Sequence, residues 1–78
     1  MIYKYKGYEG RVSINDNSEA FEILIYNELN DFESSFKVGL IGSKSLNYII
    51  NKIKKEINLF VKRDIRLLIE ENQGNIQL

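Results

Sequence analysis

The spacing of apolar residues changes once along this chain, and that change decides the class of fold. As far as Ile41, large or apolar residues recur at every second position: Tyr3 and Tyr5, then Val12 and Ile14, then Phe21, Ile23 and Ile25, then Phe36, Val38 and Leu40. Such alternation places successive side chains on opposite sides of an extended strand. After Gly42 the step becomes three or four, through Leu46, Ile49, Ile50, Ile53, Ile57, Phe60 and Val61. That spacing draws one stripe along a helix. A run of strands followed by a helix that must bury its stripe against them is an α+β domain. The expected architecture is a three-stranded antiparallel meander packed on one long amphipathic C-terminal helix. Its strands fall at about 2–14, 20–26 and 32–41 and its helix at about 43–71, leaving 72–78 as a tail or a short final strand.

Local signals refine the outline. Within the first strand the alternation breaks at Gly7 and resumes one residue out of phase as Tyr8, Val12 and Ile14. A period of two changes parity only when a residue is inserted or lost, so a bulge or sharp bend is expected at Gly7. Asn15-Asp16-Asn17-Ser18 and Asn27 to Asp31 supply turn-forming side chains between strands. The strand from Ala20 to Tyr26 buries its Phe21 face, but Leu24 and Tyr26 keep its other face from being purely polar. Ser43 or Ser45 is placed to cap the helix. From Ile65 to Glu70 the pattern suits a helix or a strand, and a helix is preferred, ending near Asn72 or Gly74.

Seventy-eight residues allow one domain with one small core. The chain contains no Cys and no His. Disulfides, thiolate metal sites, the reactive thiol, the usual zinc ligands and the commonest general base are therefore all missing. Carboxylate-only metal chemistry or a Ser/Lys pair survives this exclusion, yet neither has a recognisable motif. Asp16 to Glu19 lacks the glycine and terminal glutamate spacing of a calcium loop, and Gly42-Ser43-Lys44-Ser45 is not a phosphate-binding P-loop. The expectation is a protein that is not an enzyme and takes no cofactor. The start of the chain mixes Lys and Glu with its tyrosines and resembles no signal peptide, so a cytoplasmic location is expected.

Charge sums to zero, with 11 basic and 11 acidic residues, but it is segregated along the sequence. Asp16, Glu19, Glu22, Glu28, Asp31 and Glu33 share a segment that contains no cation, while Lys52, Lys54, Lys55, Lys62, Arg63 and Arg66 crowd the helix. The six carboxylates form a candidate partner-binding lobe, suited to the positive groove of a nucleic-acid-processing protein. Tyr3 and Tyr5, with Lys52, Lys55 and Lys62, form a candidate nucleic-acid contact set, because stacking faces with interleaved cations suit single strands. Tyrosine is equally a good strand residue, and the zero net charge favours the protein partner. Leu67, Leu68 and Ile69 wrap too far around a helix for one stripe to bury, which makes them a candidate self-association surface and admits a homodimer.

The run Tyr5-Lys6-Gly7-Tyr8-Glu9-Gly10-Arg11-Val12, followed by two further strands and the step Gly42-Ser43-Lys44-Ser45-Leu46 into a helix, resembles the N-terminal domain of HicB-family antitoxins. The resemblance spans approximately residues 3–62. It implies a β-β-β-α-β, partial ribonuclease-H-like fold without catalytic acids, which binds and blocks a small ribonuclease toxin. Two departures stand beside it: the glycine-rich step between the second and third strands is missing, and residues 72–78 carry no helix-turn-helix or ribbon-helix-helix pattern, so operator binding is not expected. The functional expectation is a non-catalytic protein-binding inhibitor that occupies a partner's active or nucleic-acid-binding site. A mobile-element inhibitor of bacterial immunity, of the anti-CRISPR type, and a small nucleic-acid-binding module are the alternatives.

Overall fold

The computed structural model describes residues 1–14, 20–39 and 45–72. Four antiparallel strands form one open sheet, and a single helix follows them. The strands are β1 (Ile2–Tyr5), β2 (Tyr8–Ile14), β3 (Ala20–Tyr26) and β4 (Phe32–Gly39), and the helix is α1 (Leu46–Asn72). Each strand pairs with its neighbour in sequence, in the order β1-β2-β3-β4.

The sheet therefore has four strands where three were expected, and the difference lies at Gly7. The chain reverses there instead of bending, and Tyr5 pairs directly with Tyr8. Lys6 and Gly7 both have positive φ, at 51° and 84°. Two consecutive residues in that region make the two-residue hairpin turn whose twist matches the flanking strands. Because Tyr5 faces Tyr8, and Tyr3 faces Gly10, odd residues of β1 share a face with even residues of β2. The parity break is the mark of that turn.

A second hairpin joins β3 to β4. The Asn27 side chain accepts hydrogen bonds from the backbone amides of Leu29 at 2.9 Å and Asp31 at 3.0 Å. Asn30 adopts a φ of 64°, a conformation that asparagine tolerates better than most residues. The pairing register then shifts between Ile25 and Tyr26, so Tyr26 faces Phe32 and Glu33 is the extra residue. The turn expected over 15–18, residues 40 and 41 of the expected third strand, the Ser43 cap and the possible final strand all lie outside the described residues.

Helix α1 starts at Leu46, where the Ser45 hydroxyl accepts from the Tyr48 amide at 3.2 Å and caps an orphan donor. Ile49, Ile53 and Ile57, four residues apart, bury one stripe against Tyr8, Ile23, Ile25 and Val38 of the sheet, and Phe60 and Val61 pack alongside. The approach is close at Gly10, where a Cβ would lie 2.7 Å from Ile53 Cγ2. Asp64 is the last half-buried residue of α1, and every residue from Ile65 to Asn72 is exposed. Eight residues, about 12 Å at 1.5 Å each, thus extend past the packed part of the helix. Among the described residues no helix is long and apolar enough to cross a membrane.

Candidate functional site

The sheet has one covered face and one open face, and the pairing register fixes which residues share the open one. Ile23, Ile25 and Val38 point toward α1, so Leu24 and Tyr26 point away from it. Register then brings Ile2, Arg11, Leu24 and Ser35 into one row across the four strands, and Lys4, Glu9, Tyr26 and Phe32 into the next. The middle of these rows is knitted together. The Arg11 guanidinium lies 3.7 Å above the Tyr26 ring, and Tyr26 meets Phe32 edge to face at 5.9 Å. Glu9 accepts from Arg11 Nε at 2.6 Å, and Asn30 of the β3–β4 turn accepts from the same guanidinium. Phe32 is 56% exposed and Ile2 61%, although both sit on regular strands. The result is an apolar and aromatic strip centred on a stacked arginine and bordered by charge.

Only part of this strip was visible in the sequence. The mixed character of Leu24 and Tyr26 marked the face, but Arg11 and Phe32 come from other strands, and nothing local reveals the register that joins them.

Among the described acids of the expected lobe, the same register separates Glu22 from Glu33. Glu33 turns toward the helix and binds Arg63 Nη1 at 3.1 Å and Asn27 Nδ2 at 3.0 Å. Glu22 lies on the open face opposite Lys37. Glu28 and Asp31 remain together on the exposed β3–β4 turn, at the end of the sheet where Asn30 meets Arg11. Asp16 and Glu19 lie outside the described residues.

The tyrosine and lysine set is divided too. Tyr3 and Tyr5 stack with centroids 6.4 Å apart on the helix-facing side of β1. Lys54 reaches over both rings, at 6.0 and 5.6 Å, and Lys6 lies 5.1 Å from the Tyr5 ring while donating to Asn58 at 3.1 Å. Hydrogen bonding by Lys6 draws the Tyr5 hydroxyl below its ordinary pKa. Lys55 and Lys62 line a hollow of about 510 Å³ with Lys6, Asn58, Leu59 and Ile65. Lys52 stands apart over Tyr48, at 5.5 Å. Leu67, Leu68 and Ile69 all lie on the exposed end of α1.

A polar tie not foreseen from the sequence locks the helix to the first hairpin. Tyr8 donates its hydroxyl proton to Asp64, and Arg63 bridges Asp64 at 2.9 Å and Glu33 at 3.1 Å. The ring of Tyr8 stacks on Phe60 at 5.7 Å. Burial pushes the Tyr8 hydroxyl up to about 12, and its bond to Asp64 adds to the shift. In return that bond, with the neighbouring guanidinium, holds the Asp64 carboxyl below its ordinary value. Glu33 and then Asp64 raise the Arg63 guanidinium. These bonds clamp Arg63 and Asp64 of α1 to Tyr8 of β2 and Glu33 of β4.

Among the described residues, no three Asp or Glu side chains converge as a metal-binding set. No protein-family model, curated protein or solved structure matches this chain.

Proposed function

We propose that this chain is a non-catalytic, protein-binding inhibitor that covers a partner's active or nucleic-acid-binding site, in the manner of the antitoxin domains its first hairpin resembles. The observation that carries the reading is the open face of the sheet. Arg11, Tyr26, Phe32, Leu24 and Ile2 gather there on rigid strands, with Glu28 and Asp31 at one end. Aromatic residues and arginine are the types enriched at the energetic centres of protein interfaces, and a charged rim steers encounter with a partner of opposite sign. Rigid strands also limit the ordering cost of binding. The partner class is a nucleic-acid-processing protein with a basic groove, either a small ribonuclease or an effector complex of bacterial immunity.

The test is capture from the native host by the immobilised chain, in parallel with Phe32→Asp, followed by assay of the captured partner. Phe32 is exposed, so the substitution should leave folding intact. Capture lost in the variant, with nuclease or nucleic-acid-binding activity of the partner suppressed by the parent chain, is the expected outcome. Equal capture by both chains, or a captured partner whose activity is untouched, would overturn the reading.

One observation favours a second reading. Tyr3, Tyr5, Lys54 and Lys6 form an aromatic and cationic edge beside the helix lysines, an arrangement compatible with single-stranded nucleic acid. Fluorescence anisotropy with labelled oligonucleotides tests it, and binding that falls steeply with salt and is lost in Tyr5→Ala would support it.

A further inference from the structure

The two edges of the sheet are unequal. β1 is four residues long, carries Lys4, and is followed at once by Lys6. β4 is eight residues long, contains no proline, and has Lys37 as its single cation. Its irregularity falls at Glu33, near its start, so Ser34 to Gly39 run regularly beside β3. Among the described residues nothing pairs with the outer side of β4. An edge strand presents a row of unpaired amides and carbonyls, and short length, lysine, proline or a bulge usually blunts it. β1 is blunted by length and lysine; the regular part of β4 is left open by the described residues.

We infer that β4 pairs antiparallel with β4 of a second copy, across a two-fold axis at Phe36, to give one continuous eight-stranded sheet. The sequence of the strand selects this register. With the axis at Phe36, Phe36 faces its own equivalent, Ser34 faces Val38 of the second copy, and Ser35 faces Lys37. Moving the axis to Lys37 sets lysine against lysine. Moving it to Ser35 brings Lys37 onto Glu33, which is the bulged residue and is already held by Arg63. The side of β4 nearest the helix has room for the contact. Phe36 is half-buried beside an open hollow of about 280 Å³, lined also by Lys52, Glu56 and the exposed Leu59. The Phe36 ring of a second copy enters that space. A domain of this size buries a modest share of its surface alone, so association adds core it otherwise lacks. The open face is not consumed: the dimer presents two copies of the Arg11–Tyr26–Phe32 strip side by side.

Sedimentation equilibrium of the full chain from roughly 1 μM to 1 mM tests the dimer and its register together. Ser35 is exposed and lies outside the core, so its substitutions should fold, and melts of dilute samples confirm this. Ser35→Lys places lysine against Lys37 twice across the axis and should weaken dimerisation about fivefold; Ser35→Glu creates two opposite-charge pairs and should strengthen it by a similar factor. Leu68→Asp, on the far end of the helix, should leave the dimer unchanged. A chain monomeric throughout the range, an assembly larger than two, equal effects of the two Ser35 substitutions, or dissociation by Leu68→Asp would each overturn the assignment.

Discussion

Gly10→Ala is a severe test of how the helix sits on the sheet. The added Cβ would stand 2.7 Å from Ile53 Cγ2 and 3.1 Å from Ile53 Cδ1, against a side chain with no exposure to solvent. The nearer atom belongs to a branch at Cβ, so Ile53 cannot retreat by rotating a flexible end. Overpacking of this kind costs about 1–3 kcal/mol. Relief of the backbone entropy of glycine in a strand returns about 0.5–1 kcal/mol, so the steric cost should win. A net loss of about 1–2 kcal/mol corresponds to a midpoint lowered by roughly 5–15 °C in a domain of this size. The assay is thermal and urea denaturation followed by circular dichroism. Ile53→Leu moves the branch away from Cβ at little change in volume, so Gly10→Ala should cost about 1 kcal/mol less in that background. An unchanged or raised midpoint for Gly10→Ala, or strictly additive effects of the two substitutions, would refute the close approach of α1 to β2.

Gly7→Ala should lower stability by about 1 kcal/mol, read by urea denaturation, through the positive φ of the turn; the Glu28 carboxylate near the new Cβ is a flexible end and can move aside. Tyr8→Phe should alter the alkaline limb of stability. The Tyr8 hydroxyl titrates at 10.0 when unfolded and at about 12 when folded, so its contribution is full below pH 10 and is lost as pH rises toward 12. The difference between parent and Tyr8→Phe in urea midpoint should therefore shrink across that window, and a constant difference would count against the clamp. Acid has a parallel effect at Asp64. Its folded carboxyl is depressed below the unfolded 3.8, so its contribution holds above that value and disappears as pH falls further.

Particular residues show how far the sequence reaches. The switch of period at Gly42 located the helix correctly, because a stripe such as Ile49, Ile53 and Ile57 depends on one element alone. Ile65 to Glu70, equally acceptable as a strand, continues that helix to Asn72. Gly7 was harder. A bulge and a two-residue reversal both shift alternation by an odd number, and Lys-Gly lacks the asparagine or aspartate that usually announces the reversal. The placing of the described acids is hidden for a related reason. Neighbours in sequence are not neighbours on a sheet, and Glu22 and Glu33 end on opposite faces. The open-face strip was hidden for the converse reason, since Arg11, Tyr26 and Phe32 become neighbours only through pairing.

The tie between Tyr8 and Asp64 also bears on the order in which the molecule assembles. Described strands pair with their sequence neighbours, and such contacts form by closing short loops. The helix contacts are of another kind: Tyr8 meets Asp64 across 56 positions, and Lys6 meets Asn58 across 52. Long-range closure of this sort is the slow part of folding. During synthesis the sheet can therefore pair before anything exists to cover it, leaving Ile23 and Ile25 open to solvent or to a chaperone until residues 53–64 have left the ribosome.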